Sequence, residues 1–319
     1  MPAPAPPTSV EVSVVIPAYN QPRMLGETLA SVHKQTAPPV EVVVIDDCSP
    51  QPLQPATPCP PGLPVRFVRH AANRGPAGSV AHGIREARCE LIALLNHDDV
   101  WEPTFLERLA AALAAHPDAG LAFCDHGVMD ADGRHDPRLS AAQSERYGRA
   151  TLRPGPLAGA ELQRAAILRK AVAGSSFVLA RRAVLDLALI GAGSDTWDYA
   201  LAVGACRGGR PAVYVGERLG WYRVSPTMLS ATHANPRRQI ELLRPHTAIS
   251  LVTLRSPRLR PVHRAIRRRL LGSTGRALAV AARTGDPRNL ARVGAAVAAG
   301  RADANALIAG HWDHEPPTS

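Results

Sequence analysis

Three pairs of acidic residues are the groups in this sequence best placed to do chemistry. The apolar run Leu91-Ile92-Ala93-Leu94-Leu95 has the length of a buried strand and breaks off at Asn96-His97-Asp98-Asp99. Open α/β sheets hold ligands outside the carboxyl ends of their strands, so Asp98 and Asp99 stand where a ligand is expected. Carboxylates left unpaired near a core are costly, and a hard divalent cation is their natural partner. The plain alternative is a loop in which Asp99 helps to start the helix after Pro103. The β-branched run 40–45 ends in the same manner, at Asp46-Asp47. One of these should point at a ligand and the other back toward the sheet. A carboxylate that accepts from the ring N–H of uracil or thymine reads a pyrimidine. The third pair lies in Ser194-Asp195-Thr196-Trp197-Asp198, at an expected helix start. Asp195 and Asp198 are nearly one turn apart and could face one pocket, whereas an N-cap is the plain role for Asp195.

The frame that must hold these pairs alternates strand and helix. Val10 to Pro17 (VEVSVVIP) is β-branched and breaks at Pro17-Ala18-Tyr19-Asn20, where exposed backbone and a Tyr ring could meet a nucleotide or merely turn the chain. An amphipathic helix follows, with Met24, Leu25, Leu29 and Val32 on one side. After a proline-dense surface loop (50–64), Val65-Arg66-Phe67-Val68 leads into Asn73-Arg74-Gly75 and the helix GSVAHGIREAR. Helix N-termini suit phosphates, which marks Asn73 and Arg74 as contact candidates. Further on come a helix from Thr104 to Ala115, a strand from Gly120 to Cys124 and a hairpin turn at Asp132-Gly133. Residues 134–170 are poorly patterned, and strands are expected at 174–179, 211–215 and 219–223.

Taken in order, VSVVIPAYNQ, the SVHKQT helix end, VVVIDDCSP, ANRGPAG and LLNHDDVWEP resemble the nucleotide-sugar half of the GT-A glycosyltransferases, specifically the large inverting family 2. The five pieces cover most of residues 1–110. The resemblance implies an α/β fold: a Rossmann-like GT-A mixed, mainly parallel sheet flanked by helices, with a helical C-terminal extension. It implies a nucleotide-sugar donor, UDP- or dTDP-linked, contacting Pro17, Ala18, Tyr19, Asn20, Asp47, Asn73, Arg74 and Asp98. It implies Mn²⁺ or Mg²⁺ on Asp99, and a catalytic base at Asp195 or Asp198, with Asp195 preferred. The chain also departs from the pattern. Asn96 stands where relatives carry an acid, Ser225 where a histidine often follows Tyr-Arg, and Thr196 where the base usually sits. These departures keep open a catalytically silent nucleotide-sugar binder.

Composition narrows the classes. A chain of 319 residues that is 45% hydrophobic is not disordered. Aromatic residues make up only 4%, which disfavours a base-stacking platform and a nucleic-acid partner. The net charge of +10 suits an anionic membrane surface, a phosphorylated substrate or nucleic acid, or simply colours solvated faces with arginine. The 5 cysteines are scattered without a CxxC pair, which argues against disulfides or zinc and for a reducing compartment. The opening MPAPAPPTS reads as a loose tail and no apolar run reaches a membrane span, so a cytoplasmic protein is expected.

The expected organisation is a tail (1–9), a GT-A domain (10–232) with a nucleotide-sugar half (10–100) and an acceptor half (101–232), and an Arg-rich helical region (233–319). In that last region Arg264, Arg267, Arg268, Arg269 and Arg276 crowd one helix. Such helices suit a homodimer contact or a peripheral contact with the inner face of the membrane, or they close the catalytic domain with their arginines in water. The acceptor expected is a hydroxyl of a glycan, a lipid-linked saccharide, a small molecule or a peptide.

Overall fold

The β-branched N-terminal run forms β1 (Val10–Ala18), and every side chain from Val12 to Ala18 is buried. A central parallel strand is covered on both faces, which explains a nearly continuous apolar run in place of alternation. On one side β1 pairs in parallel with β2 (Pro39–Asp46), Ala18 opposite Asp46, and β2 pairs in parallel with β3 (Val65–Arg69). On the other side β1 pairs in parallel with β4 (Leu91–Leu94), Val15 opposite Leu94. The sheet is completed by β5 (Val100–Trp101), β6 (Leu121–Met129), β7 (His135–Asp136), β8 (Gly155–Leu157), β9 (Val178–Arg181) and β10 (Ala212–Arg223). Its order is β3-β2-β1-β4-β9-β6-β10-β5, with β7 on β6 and β8 on β10. Because β9 runs antiparallel to both β4 and β6, the direction of β4 is restored in β6 and β10. The result is the mixed, mainly parallel sheet expected. The computed structural model describes residues 10–172, 175–225, 235–283 and 287–310.

The helices are α1 (Pro22–His33), the single turn α2 (Leu53–Ala56), α3 (Gly75–Glu86), α4 (Phe105–Ala115), α5 (Pro137–Arg146) and α6 (Gly159–Gln163). They continue with α7 (Leu187–Ala192), α8 (Trp197–Gly208), α9 (Pro236–Glu241), α10 (Leu243–Arg255), α11 (His263–Arg283) and α12 (Pro287–Ala309). On one face of the sheet Leu25, Leu29, Phe105 and Leu109 of α1 and α4 pack on Val14, Ile16 and Val44. On the other, Val80, Ile84, Leu189 and Val203 of α3, α7 and α8 pack with Val15 and Ile92. That second cluster runs on into the C-terminal helices through Ile249, Val252, Ile266 and Ala304. Each large aliphatic side chain so buried contributes about 1.5–3 kcal/mol, so these helices share the core of the sheet.

Several elements differ from the sequence expectation for local reasons. Pro17 does not stop β1, because it faces the β4 side and β4 pairs only as far as Val15, so its missing N–H breaks no ladder bond. The unpatterned stretch 134–170 contains α5, which is held by hydroxyls and a cap instead of an apolar stripe. Asp136 caps it by accepting from Leu139 N at 2.8 Å, and buried Ser140 donates to Asp136 O at 2.6 Å and accepts from Val128 N at 2.8 Å. The strands expected at 211–215 and 219–223 are one bulged strand, β10. Arg182 opens only a 3₁₀ turn (Arg182–Val184), and its guanidinium donates to the carbonyls of Ile84, Ala87 and Cys89 and closes the end of α3. The tail 1–9, Gly174 and the boundary at 232–233 lie outside the described residues.

Candidate active site

Parallel pairing sets the carboxyl ends of β1, β2 and β4 side by side, and each releases one of the groups picked out in the sequence. At the end of β1, Pro17 and Ala18 are buried and Tyr19 is 46% exposed, so the ring is what this loop presents. Asn20 and Gln21 both take left-handed backbone (φ 57 and 58), and Asn20 N donates to Ser49 Oγ at 2.8 Å. Left-handed non-glycine residues are each strained by about 1 kcal/mol or more, and here the strain sits at a strand end where ligands bind.

The two aspartates after β2 are held differently. Asp46 turns back: it accepts from Ser49 N at 2.9 Å, Leu53 N at 3.2 Å and Arg69 Nη1 at 2.5 Å. Burial acts to raise its pKa, but the hydrogen bonds from Ser49, Leu53 and Arg69 outweigh this and hold the carboxyl below the usual range. Asp47 is held by one oxygen only, its Oδ1 accepting from Arg74 N at 2.8 Å and lying 2.8 Å from His70 Nδ1. The second oxygen accepts nothing from the described residues. His70 is buried and its Nε2 lies 2.7 Å from Nδ1 of the half-buried His82. Asn73 locks the same turn, donating to Asp47 O at 3.2 Å and accepting from Gly75 N at 3.1 Å. Asn73 and the Arg74 amide therefore position Asp47, and the exposed Arg74 side chain is free to meet a ligand. No local sequence pattern marks His70.

The pair after β4 departs from expectation. Asp99, proposed from the sequence as the metal ligand, is 0% exposed. Its Oδ2 accepts from Ser176 Oγ at 2.5 Å and from Asn96 Nδ2 at 3.5 Å, and its Oδ1 accepts from Arg223 N at 2.9 Å. Burial first, and the charge of Asp98 second, hold its carboxyl well above the usual range. A carboxylate so enclosed and so saturated is a structural tie between β4, β9 and β10. Asp98 is half-exposed, and its carboxylate accepts no hydrogen bond from the described residues. The adjacent His97 has a buried Nε2 without a partner there. Asp98 is thus the hard oxygen donor that this turn leaves open, a chemistry that fits Mn²⁺ or Mg²⁺ completed by phosphate oxygens. Arg223, missed as a site residue, fixes the turn: its Nε donates to Asp98 O at 2.7 Å, Nη1 to Ala131 O at 3.1 Å and Nη2 to Glu27 Oε2 at 2.7 Å.

On the acceptor side, Asp195 lies in a 3₁₀ turn ahead of α8, its side chain 3% exposed and ion-paired with Arg238 of α9. Thr196, not Asp195, occupies the N-cap position, and its hydroxyl donates to Gly193 O at 2.9 Å. Asp198 sits half-exposed in the first turn of α8, its Oδ1 accepting from Tyr199 N at 2.8 Å. Burial lowers the pKa of Lys170, and the charge of Asp198 opposes that shift. Ser225 is buried.

Acidic strand ends over a β3-β2-β1-β4 parallel edge, joined to β9, β6 and β10, define the GT-A class of nucleotide-sugar fold. Residues 13–174, just over half of the chain, match the model of glycosyl transferase family 2, and the chain belongs to that family. It is 34% identical over 142 residues to the succinoglycan biosynthesis protein ExoO of Rhizobium meliloti (strain 1021), covering 44% of this chain and 40% of the relative. It is 30% identical over 101 residues to the uncharacterized glycosyltransferase YwdF of Bacillus subtilis (strain 168), covering 32% of this chain and 37% of the relative. The chain thus spans well under half the length of these curated relatives. Among solved structures, S. aureus TarS 1-349 in complex with UDP-GlcNAc superposes with a TM-score of 0.62 at 16% identity, over 94% of this chain and 92% of that one. The mannosyltransferase PcManGT from Pyrobaculum calidifontis, in complex with GDP-Man and Mn²⁺, gives 0.56 at 20% identity, over 98% and 90%. At these identities the two structures speak to the fold alone.

Proposed function

We propose that this chain transfers a sugar from a nucleotide-sugar donor, UDP- or dTDP-linked, to an acceptor hydroxyl with inversion at the anomeric carbon. The observation that carries the reading is Asp47: one oxygen is fastened by His70 and Arg74 N, and the other is left to accept from a pyrimidine imide N–H. Tyr19 and the Asn20 loop border the same strand ends, and the Arg74 side chain supplies positive charge for the diphosphate. Asp98 would hold Mn²⁺ or Mg²⁺ together with diphosphate oxygens. A metal ion bound there offsets the charge of the departing diphosphate. Asp198 is the proposed base that takes the proton from the acceptor hydroxyl as its oxygen bonds to the anomeric carbon and the diphosphate leaves. General base catalysis of this kind contributes about 10²–10⁴-fold, and alignment of donor and acceptor must supply much of the rest. The acceptor is a hydroxyl of a glycan, lipid-linked saccharide, small molecule or peptide, and the compartment is reducing and cytoplasmic.

A thermal-shift panel of UDP-, dTDP- and GDP-sugars with and without Mn²⁺, followed by a donor-turnover assay, tests the reading. A donor at about 100 times its Kd stabilises by roughly 2.7 kcal/mol, enough to raise Tm by several degrees. UDP- or dTDP-sugars should shift Tm and GDP-sugars should not. Donor binding without turnover under any acceptor would leave a silent nucleotide-sugar binder in place of the transferase.

A further inference from the structure

Positive charge in this chain is concentrated to an unusual degree. Residues 242–285 contain ten arginines and no Asp or Glu, so this stretch alone equals the formal net charge of +10 of the whole protein. Some of these arginines serve the fold: Arg244 is paired with Asp303, and Arg269 donates to the carbonyls of Ile167 and Leu168. Those on the outer face of α11 do not. Arg264, Arg267 and Arg268 are exposed and form no ion pair among the described residues. At 100° per residue they share one stripe with Leu271, which is 74% exposed, and Leu278, which is 43% exposed. The opposite side of the helix buries Ile266, Ala277 and Ala281.

We infer that this outer face of α11 docks on an anionic lipid surface. A helix lying in the membrane interface needs cationic side chains for headgroup phosphates and aliphatic ones for the acyl boundary, and α11 carries both along one line. Nucleic acid would satisfy the arginines but offers an exposed Leu271 nothing, and a second copy of the chain would bring like charges face to face. Among the described residues no helix is long and apolar enough to cross a membrane, and the contact inferred for α11 is a surface one.

The test is flotation of the full chain with phosphatidylglycerol-containing vesicles and with pure phosphatidylcholine vesicles, at low and high salt. The chain should float with the anionic vesicles only, and salt should release it. Arg264→Glu/Arg267→Glu/Arg268→Glu should weaken binding about a hundredfold or more. Leu271→Ser/Leu278→Ser should make the bound chain easier to release by salt, with the thermal melts of both variants unchanged. Equal flotation of wild type and the triple variant overturns the proposal, as does the absence of flotation. So does a charge-dependent complex with duplex nucleic acid, or a dimer in light scattering abolished by the triple variant, where the leucine variant floats like wild type.

Discussion

The backbone N–H of Arg223 donates to Oδ1 of Asp99 at 2.9 Å, and its guanidinium donates to the carbonyl of Asp98 at 2.7 Å. One residue near the end of β10 therefore grips both halves of the turn that leaves β4. Its side chain is 2% exposed and also reaches Glu27 and Ala131. Arg223→Ala strands three buried or half-buried acceptors and should cost on the order of 2–4 kcal/mol in urea unfolding. Arg223→Lys should recover only a part, because an ammonium on a flexible stem cannot span three acceptors as the planar fork does.

Asp99 is enclosed and Asp98 is open, so variants of the two separate a structural role from the proposed metal-binding one. Asp98→Asn should keep the melting midpoint of the ligand-free protein and lose the Mn²⁺-dependent part of the donor-induced shift. Asp99→Asn should lower the ligand-free midpoint, since an amide group would face the donors Ser176 Oγ and Arg223 N, a mismatch worth about 1–3 kcal/mol. The opposite pattern, with Asp99→Asn folding normally and losing only the Mn²⁺ effect, would return the metal to Asp99.

How much of this site could be read from the chain depends on the separation of the partners. Asp46, Asp47 and Asp98 were legible because each follows an apolar β-branched or aliphatic run within a few residues. The inward turn of Asp99 was not, because its fixing donors, Ser176 and Arg223, lie 77 and 124 positions away. The same holds for Asp195, whose partner Arg238 is 43 positions on, in α9. In the fold, β1 to β4 and the long C-terminal helices carried clear patterns. Segment 134–170 did not, because α5 is fixed by Ser140 and an Asp136 cap rather than by an apolar face.

His70 positions the carboxylate of Asp47, the proposed reader of the nucleotide base. It is buried between Asp47 and His82 and orients the carboxylate by a 2.8 Å contact. His70→Phe should weaken UDP binding by about 10- to 100-fold in calorimetry, the equivalent of a charge-assisted hydrogen bond. His70→Asn should retain part of that affinity, because its amide can still donate toward Asp47. Unchanged UDP affinity in both variants would remove Asp47 from the role of base reader.

Acid should destabilise the fold through His126. The ring is buried and stacked on Phe177, and Nε2 lies 3.3 Å from Arg149 Nη2 and 3.3 Å from Gln143 Oε1. Burial first, then the Arg149 charge, push its pKa down to about 3 from 6.5, against the opposing pull of Asp125. The folded value is the lower one, so the stability it confers is complete above pH 6.5 and falls as the unfolded chain takes up a proton that the folded ring refuses. The loss should approach 1.4 kcal/mol per pH unit at about pH 5. Urea unfolding across this range should show that slope in the wild type and a flatter one in His126→Gln. Equal slopes would mean that the ring titrates normally in the fold.

Asp198 and Asp195 compete for the role of base, and their surroundings favour Asp198. A base must reach the acceptor hydroxyl at the moment of transfer. Asp195 is 3% exposed and ion-paired with the guanidinium of Arg238, which stands between it and an incoming hydroxyl. Asp198 is half-exposed on the first turn of α8. Asp198→Asn should therefore lower kcat by about 10² or more at saturating donor while leaving UDP affinity nearly unchanged. Asp195→Asn should mainly lower the melting midpoint, because it removes the buried one of the two carboxylates on Arg238, the other being Glu241, and should change kcat by less than about tenfold. Arg238→Gln separates the two roles further: a structural Asp195 predicts a lower midpoint with little effect on kcat, whereas a catalytic Asp195 predicts a shifted pH–rate profile. If Asp195→Asn abolishes turnover and Asp198→Asn spares it, the ion pair with Arg238 must open during the reaction and Asp195 is the base.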